Sequence, residues 1–360
     1  MRSLTGKAIL TTLMQINRCS IPVAKHPSEP TLFKFLKARL DIDQAIEQFY
    51  SHSAECLNIL RWWIGQRIAF DFFGNELPIL LPNTPIEKAL WNNMLAYASN
   101  HVLEIVPGDN INDFIALQLL NCYDPPSGCG VEVGGVVLDI GAHVGGSAMY
   151  FSEKVGPEGA VYAFEPGMCF EKLTNNVKNH ENIRPVQKAV WYQSGAISLY
   201  DTGNASSSVL NRPKAQERTV QTTTIDAFVA EQELDRIDYI KMNIEGGEWS
   251  ALMGAGATLT RFRPKLALGC FCQFDEFIRL PRLICSLYPN YRFWLGQYKP
   301  THYGLRLFCL PDCEQKNTSD AEALLKARDE DFFTEEELLD ELSDFCLMLS
   351  KSARTAKKKK

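Results

Sequence analysis

From about residue 130 onward the chain alternates short apolar runs with segments in which apolar residues recur at helical spacing. The runs Val136–Ile140, Ala160–Phe164, Ile183–Val190, Tyr239–Ile244, Lys265–Cys270, Tyr291–Leu295 and Leu305–Leu310 read as strands. Ser147–Val155, Cys169–Asn179, Gly247–Leu259 and Asp275–Leu287 read as helices. Strands and helices in alternation predict an α/β fold with a mostly parallel sheet of seven strands, covered by helices on both faces. Pro125-Pro-Ser-Gly-Cys-Gly130 reads as the loop that feeds this sheet. Ile197–Thr224 breaks the rhythm with short β-like runs around Asn204-Ala-Ser-Ser-Ser208, and reads as an inserted flap placed where a substrate would enter.

The flanks have a different texture. From about Thr31 to Trp63 the residues Phe33, Phe35, Leu36, Leu40, Ala45, Ile46 and Phe49 recur at helical spacing. Arg67–Phe73 and Leu77–Leu81 flank the turn dipeptide Gly74-Asn75 and predict a β-hairpin. A further helix, Ile86–Ser99, follows the start signal Asn83-Thr-Pro85. Beyond Leu310 the pattern becomes acidic, with 12 acidic against 3 basic residues from Glu314 to Asp344. Thr334-Glu-Glu-Glu337 suits a helix N-terminus, and the last ten residues carry six cationic side chains. The pattern divides the chain into an N-terminal helical extension with a hairpin (1–105), an α/β domain (106–311), and an acidic helical tail that ends in a basic, disordered stretch (312–360).

The chemistry sits at the first two strands. Val136-Val-Leu-Asp-Ile-Gly-Ala-His-Val-Gly-Gly146 is a buried strand opening through glycines into a helix, and twenty residues past Gly145 the second strand ends in Glu165-Pro. A parallel sheet that holds a nucleoside-containing cofactor over its first strand needs this layout. A dinucleotide pattern laid from Gly141 requires glycines at 141, 143 and 146, yet His143 occupies the position of close approach. Asp139 ends the strand where a carboxylate would repel a diphosphate. S-adenosylmethionine, a cation without phosphates whose ribose diol suits Glu165, meets both objections; NAD is the alternative.

Composition narrows the class. At 360 residues, 46% hydrophobic, the chain has room for a large domain with appendages. The net charge of −6 argues against a nucleic-acid partner, which calls for a basic stripe. No apolar run of 18 residues exists, so no membrane span is expected, and Ala8–Met14 is too short and threonine-broken for a signal peptide. Eleven scattered cysteines suit reduced core thiols and a cytoplasmic setting. Cys270-x-Cys272, with Cys309 and Cys313, has poor spacing for zinc, so no metal site is expected.

Four motifs in order carry a family resemblance: Val137-Leu-Asp-Ile-Gly-Ala-His-Val-Gly145, Val161-Tyr-Ala-Phe-Glu-Pro166, Thr223-Thr-Ile-Asp226 and Ile240-Lys-Met-Asn-Ile-Glu-Gly-Gly-Glu248. From about Ile111 to Leu310 the chain resembles the FkbM-type methyltransferases, a branch of the class I S-adenosylmethionine-dependent enzymes with a Rossmann-like sheet. The resemblance implies that Asp139, Gly141, His143 and Gly145 form the loop under the methionine part of the cofactor, and that Glu165 holds its ribose. It implies methyl transfer to a hydroxyl of a sugar or secondary metabolite. Within the family, an amide or amine nitrogen of a peptide or natural product is the competing acceptor.

Two departures from the family pattern bear on catalysis. Asn243 stands where the family usually has aspartate, which lowers metal affinity and base strength. Phe271-Cys272-Gln273 and Gly296-Gln297-Tyr298 replace runs that supply a histidine in some relatives. Methyl transfer requires mainly that nucleophile and methyl be held in line at about 3 Å, and a base helps an alcohol or amide lose its proton. Glu245 and Glu248 remain as candidates beside Asn243; each also suits a helix N-terminus. His143, His302 and Tyr303 are further candidate pocket residues. A non-catalytic cofactor-binding protein and a nicotinamide oxidoreductase are the other functional classes open to the sequence.

Overall fold

The structure, a computed structural model, describes residues 42–73, 116–117, 120–125, 128–201, 216–298 and 302–312. Its strands are β1 (Val136–Ile140), β2 (Ala160–Phe164), β3 (Ile183–Val186), β4 (Ala189–Val190), β5 (Gly195–Asp201), β6 (Gln216–Thr223), β7 (Tyr239–Met242), β8 (Lys265–Gly269), β9 (Tyr291–Gln297) and β10 (Leu305–Pro311). Its helices are α1 (Ala54–Phe73), α2 (Gly146–Val155), α3 (Phe170–Val177), α4 (Ile225–Glu231), α5 (Glu248–Met253), α6 (Gly256–Phe262) and α7 (Glu276–Leu287). Residues 42–50 are also helical.

Seven strands form one sheet in the order β3-β2-β1-β7-β8-β10-β9. The first five are parallel, while β10 runs antiparallel between β8 and β9. Helices on both faces bury the parallel strands on both sides, which is why β1, β2 and β8 read as near-continuous apolar runs. Val137, Val161, Ala163, Tyr239, Ala267 and Phe308 gather with Tyr123 and with Phe151 of α2 in one core cluster. The Phe151 ring stands 5.4 Å from those of Tyr123 and Tyr239. Tyr162 and Phe164 meet Phe228 of α4 edge-on at 5.3 and 4.7 Å. Each such aromatic contributes about 1.5–3 kcal/mol when fully buried. The chain reverses its direction of build between β1 and β7, and parallel α/β sheets bind ligands in the crevice at such a switch point.

Several expectations change in detail. The run Ile183–Val190 divides: β3 stays in the main sheet, and β4 joins β6 and β5 in a separate three-stranded sheet, order β4-β6-β5. The described parts of the insert are the antiparallel pair β5–β6; Asn204–Ser208 lies outside the described residues. The single helix expected over Gly247–Leu259 is two, with α5 capped at Gly254 and α6 restarting at Gly256. Asp226 caps α6 across the fold: its Oδ2 accepts from Ala257 N at 2.9 Å, and its Oδ1 accepts from Thr258 N and Oγ1 at 2.8 and 2.6 Å. Helix α4 was not expected; Thr224 caps it, with Oγ1 accepting from Ala227 N. Thr223-Thr-Ile-Asp226 is therefore a double capping motif.

Pro281 lies inside α7 and leaves the Phe277 carbonyl without its usual helical donor. The Tyr50 hydroxyl fills that place, donating to Phe277 O at 2.6 Å. Arg67–Phe73, read as the first strand of a hairpin, is the last part of α1. A short apolar run next to a turn signal extends an existing helix at little cost, because nucleation has already occurred upstream. Leu77–Leu81, Ile86–Ser99 and the acidic tail with Thr334–Glu337 lie outside the described residues. No described helix is long and apolar enough to cross a membrane.

Candidate active site

The loop that leaves β1 is built from backbone that L-residues avoid. Gly141 has φ 83°, His143 φ 52° and Gly145 φ 102°. A Cβ on Gly141 would collide with the Asn243 carbonyl oxygen, and one on Gly145 would press on Val177 and Leu173 of α3 at 3.0 and 3.1 Å. His143 holds a left-handed conformation that costs about 1–2 kcal/mol. Its backbone N–H donates to Glu165 Oε2 at 3.1 Å, while Gly167 N donates to Oε1 at 2.8 Å. Two amides thus fix the carboxylate that ends β2.

Beneath this loop lies a buried ion pair. Asp139 on β1 and Lys241 on β7 face each other in register, with Lys241 Nζ 2.8 Å from Asp139 Oδ1. Ser147 donates its hydroxyl to Asp139 Oδ2 at 2.7 Å, and Lys241 also donates to Gly141 O at 2.7 Å. Burial, the strongest influence on Lys241, pulls its pKa down, but the neighbouring carboxylate outweighs it and the net shift is upward. Lys241 therefore keeps its charge, and its contacts with Asp139 and Gly141 O clamp the loop from below. Asp139 is fully buried and takes no part in lining the cavity above it. The expectation that its charge repels a diphosphate is corrected, because Lys241 neutralises it. Gly145 is likewise behind the wall, packed on α3.

Above the loop opens a cavity of about 1150 Å³ including its mouth, lined among others by Gly141, His143, Glu165, Asn243, Glu245 and Arg306. Glu165 is 8% exposed. Ile197 and Leu199 of β5 and Trp191 form an apolar wall, so the insert does border the cavity. Asn243 holds its Oδ1 buried, without a hydrogen-bond partner among the described residues, above the bare face of Gly269. Glu245 follows in a left-handed conformation (φ 55°), with Cys272 Sγ 3.8 Å from its Oε2.

A family model now bears on this geometry: the methyltransferase FkbM domain matches residues 139–307. The chain carries an FkbM methyltransferase domain. The match begins at the buried Asp139 and ends within β10, so it contains most of the cavity lining, though Ala116, Leu117, Cys122 and Tyr123 precede it. Among solved structures, an FkbM methyltransferase from Methylobacillus flagellatus is similar over 77% of this chain and 60% of its own, at 14% identity and a TM-score of 0.49. The chain thus spans 60% of that relative's length, less than two thirds. A fibrillarin from Aeropyrum pernix with natively bound S-adenosyl-L-methionine is similar over 54% and 76% (11% identity, TM-score 0.36). An S-adenosylmethionine-dependent methyltransferase from Aquifex aeolicus is similar over 55% and 94% (16%, 0.34). No curated protein matches in sequence.

Within the FkbM domain the candidate residues separate. Gly141, His143, Glu165, Asn243 and Glu245 come together on the cavity; Asp139, Gly145 and Glu248 do not. Glu248 is 1% exposed, its Oε1 accepting from Ile244 N at 2.8 Å and Oε2 from Gly246 N at 3.0 Å. It shapes the loop that presents Asn243 and Glu245, which corrects its reading as a base. Glu276 has the corresponding place on the next loop, where Oε2 accepts from Cys272 N at 2.8 Å. Burial, and then the Glu248 charge, push its pKa up to about 8. His302 and Tyr303 sit in a 3-10 turn, and Tyr303, edge-on to Phe271, does not line the cavity. Among the described residues no group of His, Cys, Asp or Glu is arranged to hold a metal ion; Cys313 lies outside them.

Lys241, Ser147, Tyr123, Trp191 and Arg306 were not singled out by the sequence reading. Lys241 stood inside a quoted motif, and a lysine in a strand buried on both faces signals a partner. Arg306 carried a similar signal, as a lone cation in the apolar run Leu305–Leu310.

Proposed function

We propose that the protein is an S-adenosylmethionine-dependent methyltransferase that acts on a hydroxyl of a sugar or secondary metabolite. The observation that carries this reading is the Glu165 carboxylate, fixed by His143 N and Gly167 N inside the cavity of an FkbM domain. Each oxygen accepts one of these amides, and a carboxylate oxygen can accept a second donor, as a ribose diol requires. With Asp139 neutralised, the case against a dinucleotide rests on His143, whose left-handed backbone and side chain occupy the position of close approach. The cofactor supplies a methyl group already activated by its sulfonium charge. The protein's part is to position, exclude water and move a proton. Gly141 and His143 form the floor under the methionine portion, with the Asp139–Lys241 pair holding that floor rigid. Glu245 is the base that accepts the acceptor's proton, and Asn243 orients the acceptor through its amide.

Replacing Glu165 by alanine should weaken S-adenosylmethionine binding about 10–100-fold, the value of losing one or two hydrogen bonds to a charged group. Calorimetric titration of wild type and Glu165→Ala measures this. Unchanged affinity in the variant would remove Glu165 from the ribose.

A further inference from the structure

The loops after β7 and β8 meet across a pair of buried carboxylic acids. Glu248 opens α5 and Glu276 opens α7, and each is 1% exposed. Glu248 uses both oxygens on the amides of Ile244 and Gly246. Glu276 accepts from Cys272 N at 2.8 Å through Oε2, while its Oε1 is buried without a hydrogen-bond partner among the described residues. The loops themselves touch over the bare face of Gly269, where a Cβ would stand 2.9 Å from Asn243 Oδ1 and 3.2 Å from Glu248 Oε1. Cys272, whose amide Glu276 holds, donates its thiol to Glu245 Oε2 at 3.8 Å. A line of contacts therefore runs from Glu276 through Cys272 to Glu245 on the cavity.

Two like charges withdrawn from water in one place repel, so one of the two acids keeps a proton. Glu248, with an amide on each oxygen, is the better carrier of charge, and Glu276, with one oxygen unmet, the better carrier of the proton. Burial, and then Glu248, raise Glu276 to about 8 against the pull of the Gln273 and Cys272 backbone and of Arg279. Burial raises Glu248 as well, opposed by backbone amides and aided by Glu245. Helix α7 packs against α5, α6 and β9. Arg279, three residues along α7, lies over the Trp249 ring at 5.4 Å and 3.8 Å from Asp275. The Cys270 thiol faces both acids, and Tyr50 donates to Phe277 O; burial holds both groups well above their ordinary ranges. On α6 and β9, Arg261 stacks on Phe262, Arg292 pairs with Asp312, and Tyr291 donates to Pro264 O. The arginines keep their charge, and the raised thiol and phenols keep their protons, across neutral pH.

We infer that Glu276 is a positioning residue whose proton latches the loops after β7 and β8 together and, through Cys272, sets Glu245 on the cavity. Without that proton two negative charges face each other across the loops, and the loops part. The latch belongs to the folded chain alone; its bearing on catalysis rests on the methyl-transfer reading, in which Glu245 takes the acceptor's proton. Parted loops bring Glu276 to water, where a glutamate titrates near 4.3. Each pH unit from there toward about 8 therefore favours the open form by up to about tenfold.

Amide hydrogen exchange on the cofactor-free full chain tests the latch, with rates corrected for the intrinsic effect of pH. Protection of the Ile244, Gly246 and Cys272 amides should fall at least about tenfold from pH 6 to pH 8, then level off, and lie below that of β1 and β2 as local opening requires. Glu276→Gln, which keeps an acceptor for Cys272 N and cannot ionise, should hold its protection unchanged from pH 6 to pH 8. Infrared spectra of wild type should show a protonated carboxyl that ionises over the same interval and that the variant lacks. Equal falls in wild type and variant, no fall in wild type, or loop amides that exchange only with those of β1 and β2 would overturn the inference. So would a variant poorly protected at every pH, because the charge rather than the proton would then hold the loop. If Glu276→Gln does not fold, wild type decides: a carboxyl that ionises apart from the loss of protection sinks the latch. The exchange result needs no cofactor, so absence of S-adenosylmethionine binding in calorimetry would end the methyl-transfer reading alone.

Discussion

Asn243 shows how one atom separates positioning chemistry from metal chemistry. Its Oδ1 is buried at the end of β7 without a hydrogen-bond partner among the described residues, and an unmet buried acceptor costs about 1–3 kcal/mol. Under the proposed function, an acceptor hydroxyl or amide that donates to it recovers that cost. A neutral amide is a poor ligand for a hard cation, whereas a carboxylate in the same place sits beside Glu245. Asn243→Asp should therefore raise magnesium or manganese affinity at least about tenfold over the wild-type protein, by the added ligand charge. Titration of manganese into the two proteins measures the difference, and tight binding to wild type would contradict this account. The Asp139–Lys241 pair teaches the opposite lesson about charge. A carboxylate that the sequence suggests is aimed at the cofactor is neutralised from the adjacent strand, a relation that only strand register creates.

At the scale of elements, two buried glutamates tie the loops after β7 and β8 to the helices that follow them. Glu248 starts α5 and holds the loop after β7; Glu276 starts α7 and holds the loop after β8. Burial and mutual repulsion raise the pKa of Glu276 to about 8, and burial together with Glu245 raises that of Glu248. The folded protein thus holds the Glu276 proton more tightly than the unfolded chain, where a glutamate titrates near 4.3. Stability from this group is complete below about pH 4 and is lost as pH rises toward 8. Thermal unfolding should show Tm falling from pH 5 to pH 8, with the fall flattened in Glu276→Gln. An identical slope in the variant would show that the proton resides elsewhere. The boundaries of these helices were only partly legible in the sequence. Gly254-Ala255 interrupts what reads as a single periodic stretch, and Asp226, almost thirty residues upstream, supplies the cap that restarts it. Capping in space leaves no mark in a local window.

At the scale of the molecule, the legible parts are those buried on both faces. β1 and β2 occupy Val136–Ile140 and Ala160–Phe164 as expected, because a strand between two helical layers must be apolar throughout. The seven-stranded, mostly parallel sheet follows from such runs, as does the glycine loop from its ordered glycines. Elements governed by neighbours were less legible. Arg67–Phe73, read as a strand from the Gly74-Asn75 turn signal, continues a helix, and Ile183–Val190 is shared between two sheets. The described strands run from Val136 to Pro311, inside the domain proposed for 106–311. In the site, the motif-borne residues Glu165 and Glu245 were visible in the sequence, whereas Arg306, marked only as a lone cation in an apolar run, was placed on the cavity by the pairing of β10 with β8.

The central claim, a cavity built for a phosphate-free sulfonium nucleoside, is tested most directly by parallel calorimetric titrations of the wild-type protein with S-adenosylmethionine and with NADH. Saturable binding of S-adenosylmethionine with no response to NADH is the predicted result. Tight binding of NADH with no response to S-adenosylmethionine would contradict it.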